Sequence, residues 1–370
     1  MAFLKLAHMS GALPTHDPSV GEDADTSPAK LGRRMNESAP GTERTSMHPL
    51  KPVIAIAAAV LVATAAVPSW AQAWPTGPIR IVVGYAPGGS SDISARIVGE
   101  VLSQVLGQPV LVENRPGAQG GIALDTVARA RPDGHMLLVS PAEALYQRAL
   151  EDKGPFDVDK TLTPTTILTS QPLVITANPR TGWTSIADMI VAAKANPSGL
   201  SYATPSSGGT NVIVGELMFR RAGVKVLNVP YKGGGQAVQD VLSGVVPVGV
   251  LGAGPVMPYA QSGRLSLLAV TSKDRSAMLP TVPTMAEAGY PEIAITQWFA
   301  AFAPAGTPGE IVERLAAACA KALADPTVRE RLAAAALETV GGTPDEFSRR
   351  LAAEGEAWLR RAREFGLDRN

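Results

Sequence analysis

The stretch PIRIVVGYAPGGSSDISARIVGEVLSQVL, residues 78–106, decides the fold. Its first part, Ile79 to Tyr85, is a short apolar run rich in β-branched residues, the composition of a strand. Pro87-Gly88-Gly89 then permits a tight turn with backbone amides facing outward, and Ser90, Ser91 or Asp92 can cap a helix at this point. From Asp92 to Leu106 the residues Ile93, Ile97, Val101 and Val105 recur every four positions, and Val98 and Leu102 widen the stripe. That is one apolar face of a helix. A strand feeding a helix through a glycine turn is the first half of a βαβ unit.

Downstream, apolar runs predict strands at 110–113, 136–140, 173–177, 200–203, 226–229, 246–251, 265–271 and 295–303. Helical patterns fall between them at 121–130, 185–195, 211–222, 237–243 and 256–262. The tail differs, with 308–324, 326–336 and 344–365 reading as three helices in series. Alternating strands and helices imply an α/β protein with a mainly parallel sheet. Two blocks of similar build, with the tail returning to the first, give two lobes. Lobe 1 is expected to comprise 74–175 and 297–370, and lobe 2 to comprise 176–296. A chain that crosses twice between lobes leaves a cleft, where ligands bind outside the carboxyl ends of strands.

Upstream of the first strand the chain changes character twice. Residues 1–46 are polar, rich in Pro, Ser, Asp and Arg, and have no apolar period from which to build a core. Residues 47–73 read as a signal peptide. His48 and Lys51 form a thin basic start, Val53 to Val67 is an apolar run, and Pro68 breaks it. Ala71-Gln72-Ala73 then places small residues where a signal peptidase cleaves, after Ala73. The competing reading is a membrane span, for which the run is short against the roughly 20 residues required.

The charge is balanced at 33 basic and 33 acidic residues, and six of each lie within 1–73, so residues 74–370 are also neutral. Neutrality argues against nucleic acid or an anionic membrane surface as a partner. Beyond residue 73 the chain has one cysteine, Cys319, and one histidine, His135. That scarcity excludes a disulfide framework and a Cys/His metal cluster, and leaves a His-based nucleophile mechanism only His135. His135 follows a Pro-Asp-Gly turn and reads as a strand-entry residue. Cys319 lies in an alanine-rich helix and reads as packing. No cofactor is implied.

Three junctions could carry chemistry. The first is Tyr85 to Asp92, where free amides at a helix N-terminus suit a carboxylate or phosphate. It is neither a Walker motif nor a G-x-G-x-x-G. A strand-to-helix turn also needs glycine for steric reasons alone. The second, Ser206-Ser207-Gly208-Gly209-Thr210-Asn211, has the same chemistry at the equivalent place in the second lobe. Two such turns would set two positive helix ends across one cleft. The third holds Tyr231 and Lys232 before Gly233-Gly234-Gly235; Tyr231 can pack on a ligand, and Lys232 is either a charge for it or a solvated loop lysine.

The order of motifs resembles a known family. PIRIVVGYAPGGSSD (78–92), LGQPVLVENRPGA (106–118), RPDGH (131–135), VPYKG (229–233), LPTVPT (279–284), EAG (287–289) and APAGTP (303–308) are similar to those of Bug-type receptors. These are the periplasmic substrate-binding proteins of tripartite tricarboxylate transporters. The resemblance runs through 74–370 and implies a two-lobed Venus-flytrap fold of the type II periplasmic-binding class. It implies a ligand carboxylate held by backbone amides at Pro87 to Asp92 and at Ser206 to Asn211, often through water. It further implies a monomer in the periplasm whose partners are a small carboxylated solute and either transporter membrane subunits or a sensor kinase.

The chain departs from the family pattern at three places. Val212 stands where many relatives have histidine, and Val245-Val246-Pro247 replaces a common Gln-Val-Asp run. Ser140-Pro141-Ala142-Glu143 lacks the small neutral pattern usual after the third strand; Glu143 facing the cleft would disfavour a second carboxylate and favour an amine or amide. Two other functional classes stay open. One is an enzyme on the same cleft with Asp92 or Glu143 as base, and the other an extracytoplasmic interaction module with no small ligand. Motif order and the export signal favour the receptor.

Overall fold

A computed structural model describes residues 74–151, 160–196 and 199–364, and the signal-peptide and N-terminal-extension readings lie outside those residues. Residues 78–106 fold as expected. β1 (Ile79–Val83) buries every residue but Arg80 and lies between two parallel neighbours, β2 (Val110–Asn114) and β3 (Met136–Pro141). α1 (Ser90–Leu106) buries Ile97, Val98 and Leu102 against that sheet and stops at Gly107, whose φ of 66° is left-handed. Each such side chain contributes roughly 1.5–3 kcal/mol through burial.

The remaining elements complete one ten-stranded sheet with helices on both faces. α2 (Gly121–Ala128) leads into β3, and α3 (Glu143–Glu151) and the long β4 (Leu162–Ala177) come after it. The second lobe continues with α4 (Ile186–Ala195), β5 (Ser201–Thr204), α5 (Thr210–Arg221), β6 (Leu227–Pro230), α6 (Gly234–Ser243), β7 (Val248–Gly252), α7 (Ala253–Gln261) and β8 (Ser266–Val270). β9 (Thr296–Pro304) returns, and α8 (Gly309–Ala324), α9 (Pro326–Ala334), β10 (Glu338–Gly341) and α10 (Pro344–Glu364) finish the chain. The strand order is β2-β1-β3-β9-β4-β7-β5-β6, with β8 and β10 both paired to β4.

Three expectations are corrected. The sheet is mixed: β1–β2, β1–β3, β5–β6 and β5–β7 are parallel, whereas every pairing of β4 and β9 is antiparallel. The strands that carry the chain out and back run in opposite directions, so the centre is antiparallel. β4 is also far longer than the predicted 173–177 strand. Residues 162–172, rich in Thr and Pro, pair with β9 through two register shifts, and buried hydroxyls find partners there: Thr169 Oγ1 donates to Ser94 Oγ at 3.0 Å and Thr166 Oγ1 to the Gly342 carbonyl at 2.8 Å. Finally, the tail is not three helices in series. Ala336 takes a left-handed φ of 50° and β10 pairs along β4 before α10 begins.

β4 passes from one lobe to the other along its own length. Up to Pro172 it pairs with β9, and from Leu173 with β7 and β8. Period-two alternation then supplies four apolar layers, two per lobe. Ile81, Val139 and Phe299 face α1 and α8, while Val82, Leu138 and Phe302 face α2 and α10. In the second lobe Leu173, Ile175 and Val248 pack with α4 and α5, and Val174, Ala203 and Leu251 with α6 and α7. Cys319 is buried in the first layer and His135 sits at the start of β3 against Trp74, as packing and strand-entry residues.

Candidate functional site: a cleft at four helix N-termini

β1, β5, β6 and β7 each run into a helix through glycine, and all four helices begin at one cleft between the lobes. The N-cap residues are Gly89 for α1, Gly209 for α5, Gly233 for α6 and Gly252 for α7, and none has a side-chain cap. Glycine has no side chain with which to satisfy the first amides of a helix. At α1, α5 and α6 the positive end of the dipole is therefore left without a capping side chain, whereas at α7 Gln171 reaches across to the Gly254 amide. Two of these glycines are dictated locally. Gly209 has φ 84°, strained for any other residue, and a Cβ on Gly252 would overlap the Gln171 amide and lie 2.7 Å from Ser90 Oγ.

The cleft holds about 580 Å³ of space between side chains, the open solvent at its mouth included. No Lys, Arg or His lines it among the described residues. Its floor is an amide network on the two crossing strands, where Gln171 of β4 and Gln297 of β9 stand opposite each other. Gln171 Nε2 donates to Ser90 Oγ at 2.8 Å and to Gln297 Oε1 at 3.1 Å, and its own Oε1 accepts from the Gly254 amide at 3.0 Å. Gln297 Nε2 donates to Glu143 Oε1 and, at 3.5 Å, lies near Asn211 Oδ1. Asn211 Nδ2 donates to the Val250 carbonyl at 2.9 Å. The network ties the starts of α1, α3, α5 and α7 together.

At the mouth the lobes touch. The Ala86 amide donates to the Lys232 carbonyl at 2.8 Å, and a Cβ on Gly235 would lie 2.6 Å from the Pro87 carbonyl oxygen. Backbone approaches backbone here because Gly233 and Gly235 have no side chain to hold the two segments apart.

Of the residues singled out from sequence, the structure brings Tyr85, Gly89, Ser90, Ser91, Glu143, Ser206, Gly208, Gly209 and Asn211 together along the cleft. The others stand nearby with different work. Asp92 is buried behind the turn, where it accepts from the Gly88 amide at 3.0 Å, from Arg96 Nε at 2.9 Å and from Asn114 Nδ2 at 2.9 Å. Burial opposes its ionisation, but these donors outweigh burial and hold the carboxyl below its usual range. So engaged, it holds the Pro-Gly-Gly turn in shape and is no free base.

Pro87 and Gly88 line an adjoining hollow with Gly235 and Tyr259, and Ser207, Tyr231 and Lys232 line another with Gly84 and Gln119. The Tyr231 hydroxyl donates to Asp240 at 2.6 Å and so faces its own helix. Ser140 is buried with its hydroxyl on the Pro141 carbonyl, and Thr210 lines a third hollow on the far side of Glu143. Sequence reasoning did not find Gln147, Gln171 or Gln297. For Gln297 a lone glutamine in an otherwise apolar strand was the available signal, since buried polar side chains are kept where they have partners; Gln147 on its helix and Gln171 in a Thr-rich strand carried none.

Glu143 opens α3 and is 8% exposed. Burial pushes its carboxyl up, partly offset by hydrogen bonds from Gln297, its own backbone amide and the Thr210 hydroxyl. Tyr85 is likewise pushed up, first by burial and then by Glu143.

A family model, the tripartite tricarboxylate transporter family receptor, matches residues 94–367. This chain belongs to that family. It is 38% identical over 311 residues to protein BugT of Bordetella pertussis, covering 83% of this chain and 95% of that protein. Among solved structures, a Rhodopseudomonas palustris protein determined with adipate is 31% identical, with a TM-score of 0.75 over 79% of this chain and 98% of that one. The periplasmic binding protein BugD is 29% identical with a TM-score of 0.75, over 79% and 99%. The fold is therefore the two-lobed fold of the binding proteins, and the family is one of receptors, not enzymes. Among the described residues no helix is long and apolar enough to cross a membrane, and no cluster of three acidic, His or Cys side chains could hold a metal.

Proposed function

We propose that this protein is a periplasmic receptor that closes on a small carboxylated solute and delivers it to the membrane subunits of a tripartite tricarboxylate transporter. One observation carries the reading. Four helices with uncapped glycine starts converge on one cleft that no basic side chain lines among the described residues. Each helix start brings roughly half a positive charge, and those of α1, α5 and α6 leave their first amides without a side-chain cap. An anion is thus recognised by backbone alone, which agrees with the overall neutrality of the chain.

The lobes are taken as 74–175 with 297–370 and 176–296, and the change of β4 partners between Pro172 and Leu173 supports a first crossing close to residue 175. The Ala86–Lys232 contact at the mouth belongs to the closed form of the cleft. The signal is cleaved after Ala73 on export, and the receptor works as a monomer. Its similarity to BugD, a periplasmic binding protein, and to a protein solved with adipate supports both location and ligand class.

The test is a thermal-shift screen of residues 74–370 against mono-, di- and tricarboxylates. A ligand at 100 times its Kd adds about 2.7 kcal/mol of stability. A flat response to the whole panel would sink the reading, and turnover of any bound compound would show an enzyme instead.

A further inference from the structure

The carboxylate reading leaves one half of the cleft unexplained, because that half presents acceptors. Glu143 and Gln147 lie four residues apart on α3 and therefore on one face of it. Both line the cleft. Among the described residues Glu143 has no cation on the cleft wall, and the arginines of the hollow behind it, Arg350 and Arg361, stand on its other side. Its hydrogen bonds come from Gln297, Thr210 and its own backbone. Gln147 is 4% exposed, and its Oε1 has no hydrogen-bond partner. That oxygen lies 2.9 Å from where a Cβ on Gly208 would stand, and Gln119 Oε1 lies nearer still to the same point, so two amide oxygens face the cleft where the side chain is missing. A buried acceptor without a donor costs about 1–3 kcal/mol, and a bound group can recover it.

The start of α5 adds a second constraint. Glu143 Cγ lies 3.6 Å from where a Cβ on Gly209 would stand, and the Thr210 hydroxyl donates to the carboxylate. Of the four helix starts at the cleft, one already faces an anion that belongs to the protein. The start of α7 is engaged by Gln171, so that of α1, with α6 beside it, remains for the anion of a ligand. A second ligand carboxylate at the α3 end would meet Glu143 and the Gln147 oxygen with no basic side chain to separate them.

Resting on the receptor reading above, we infer that the ligand carries a single carboxylate, held at the α1 end of the cleft, and at its other end an amine or amide nitrogen that donates to Glu143 and Gln147. Glu143 is then the specificity-determining residue of the site, selecting against dicarboxylates of the same length. The ligand's nitrogen takes up the free capacity of both acceptors, and its positive charge, where present, offsets the buried carboxylate.

The experiment is isothermal titration calorimetry at pH 7 on residues 74–370. ω-Amino acids and half-amides of three to six carbons are compared with dicarboxylates of equal length. The inference expects an amine or amide to bind about tenfold or more tightly than its matched dicarboxylate, the scale of one hydrogen bond to a charged group. Glu143→Gln is expected to close that gap, and Gln147→Leu to weaken the nitrogen compounds while sparing simple monocarboxylates. The wild-type comparison stands even where a variant fails to fold. A dicarboxylate that binds as well as its amine and amide, or a preference unchanged by E143Q, overturns the inference and leaves the receptor intact. Silence from every carboxylate, simple ones included, overturns the receptor reading and this one with it.

Discussion

Replacing Gly235 with alanine places a methyl group where only the closed cleft has no room for it. The added Cβ would lie 2.6 Å from the Pro87 carbonyl oxygen and 3.3 Å from the Gly88 carbonyl carbon, both backbone atoms of the opposite lobe. Real side chains essentially never come so near to backbone, so the two lobes must draw apart. The Ala86–Lys232 hydrogen bond, 2.8 Å long, is then stretched or lost. Such a bond is worth about 0.5–1.5 kcal/mol net, and overpacking of a tight contact costs about 1–3 kcal/mol. Closure should therefore become less favourable by about 2–4 kcal/mol, which weakens affinity by roughly 30- to 1000-fold. The open form has no such clash. Gly235 lies in the first turn of α6, where alanine is the better helix former by up to about 1 kcal/mol. The ligand-free protein should melt at the same temperature or slightly higher. Calorimetric titration with the tightest ligand of the carboxylate panel, beside unfolding of the free protein in urea, separates the two effects. Wild-type affinity in G235A would refute the assignment of this contact to closure, and a free protein destabilised by several kcal/mol would show that the contact belongs to the resting fold.

Buried charge and packing set further expectations. Glu143 has a raised carboxyl pKa, so the folded state holds a proton that the unfolded chain has released between the ordinary and the raised value; its contribution falls as pH rises through that interval. E143Q should flatten that part of the pH–stability curve of the ligand-free protein and raise its melting temperature at the upper end; an unchanged curve argues that the carboxyl is not desolvated. Asp92 has the opposite sign. Its lowered pKa stabilises the fold above the ordinary aspartate value and is lost as pH falls through the lowered one, so Asp92→Asn should remove that acid limb in urea titrations between about pH 3 and 7. Gln297→Leu leaves Glu143 and Gln171 each short of a partner and should cost about 1–3 kcal/mol, read from the urea midpoint. Leu102→Ala, at a fully buried site under β1, should cost about 2–5 kcal/mol without altering ligand preference.

The alternation of strands with helices and the glycine turns that end β1 and β5 were legible in residues 79–106 and 200–222 because local composition dictates each of them. Apolar period marks a strand or helix whatever surrounds it, and a glycine turn before a helix marks free amides whatever they face. Three other things were decided only by the tertiary structure. Residues 162–172 became strand because Ser94, Gly342 and β9 supplied partners that the Thr-rich sequence does not contain. The starts of α6 and α7 joined those of α1 and α5 because β6 and β7 lie beside β5 in the sheet, an order that no single strand encodes. Gln171 and Gln297, 126 positions apart, became the floor of one cleft through the antiparallel register of β4 and β9. Glu143 shows the division most clearly. Its acidity is written in the chain, but its burial, the lack of a basic side chain on its cleft wall among the described residues and its place beside Gln147 are properties of the folded cleft, and those set what the cleft can hold.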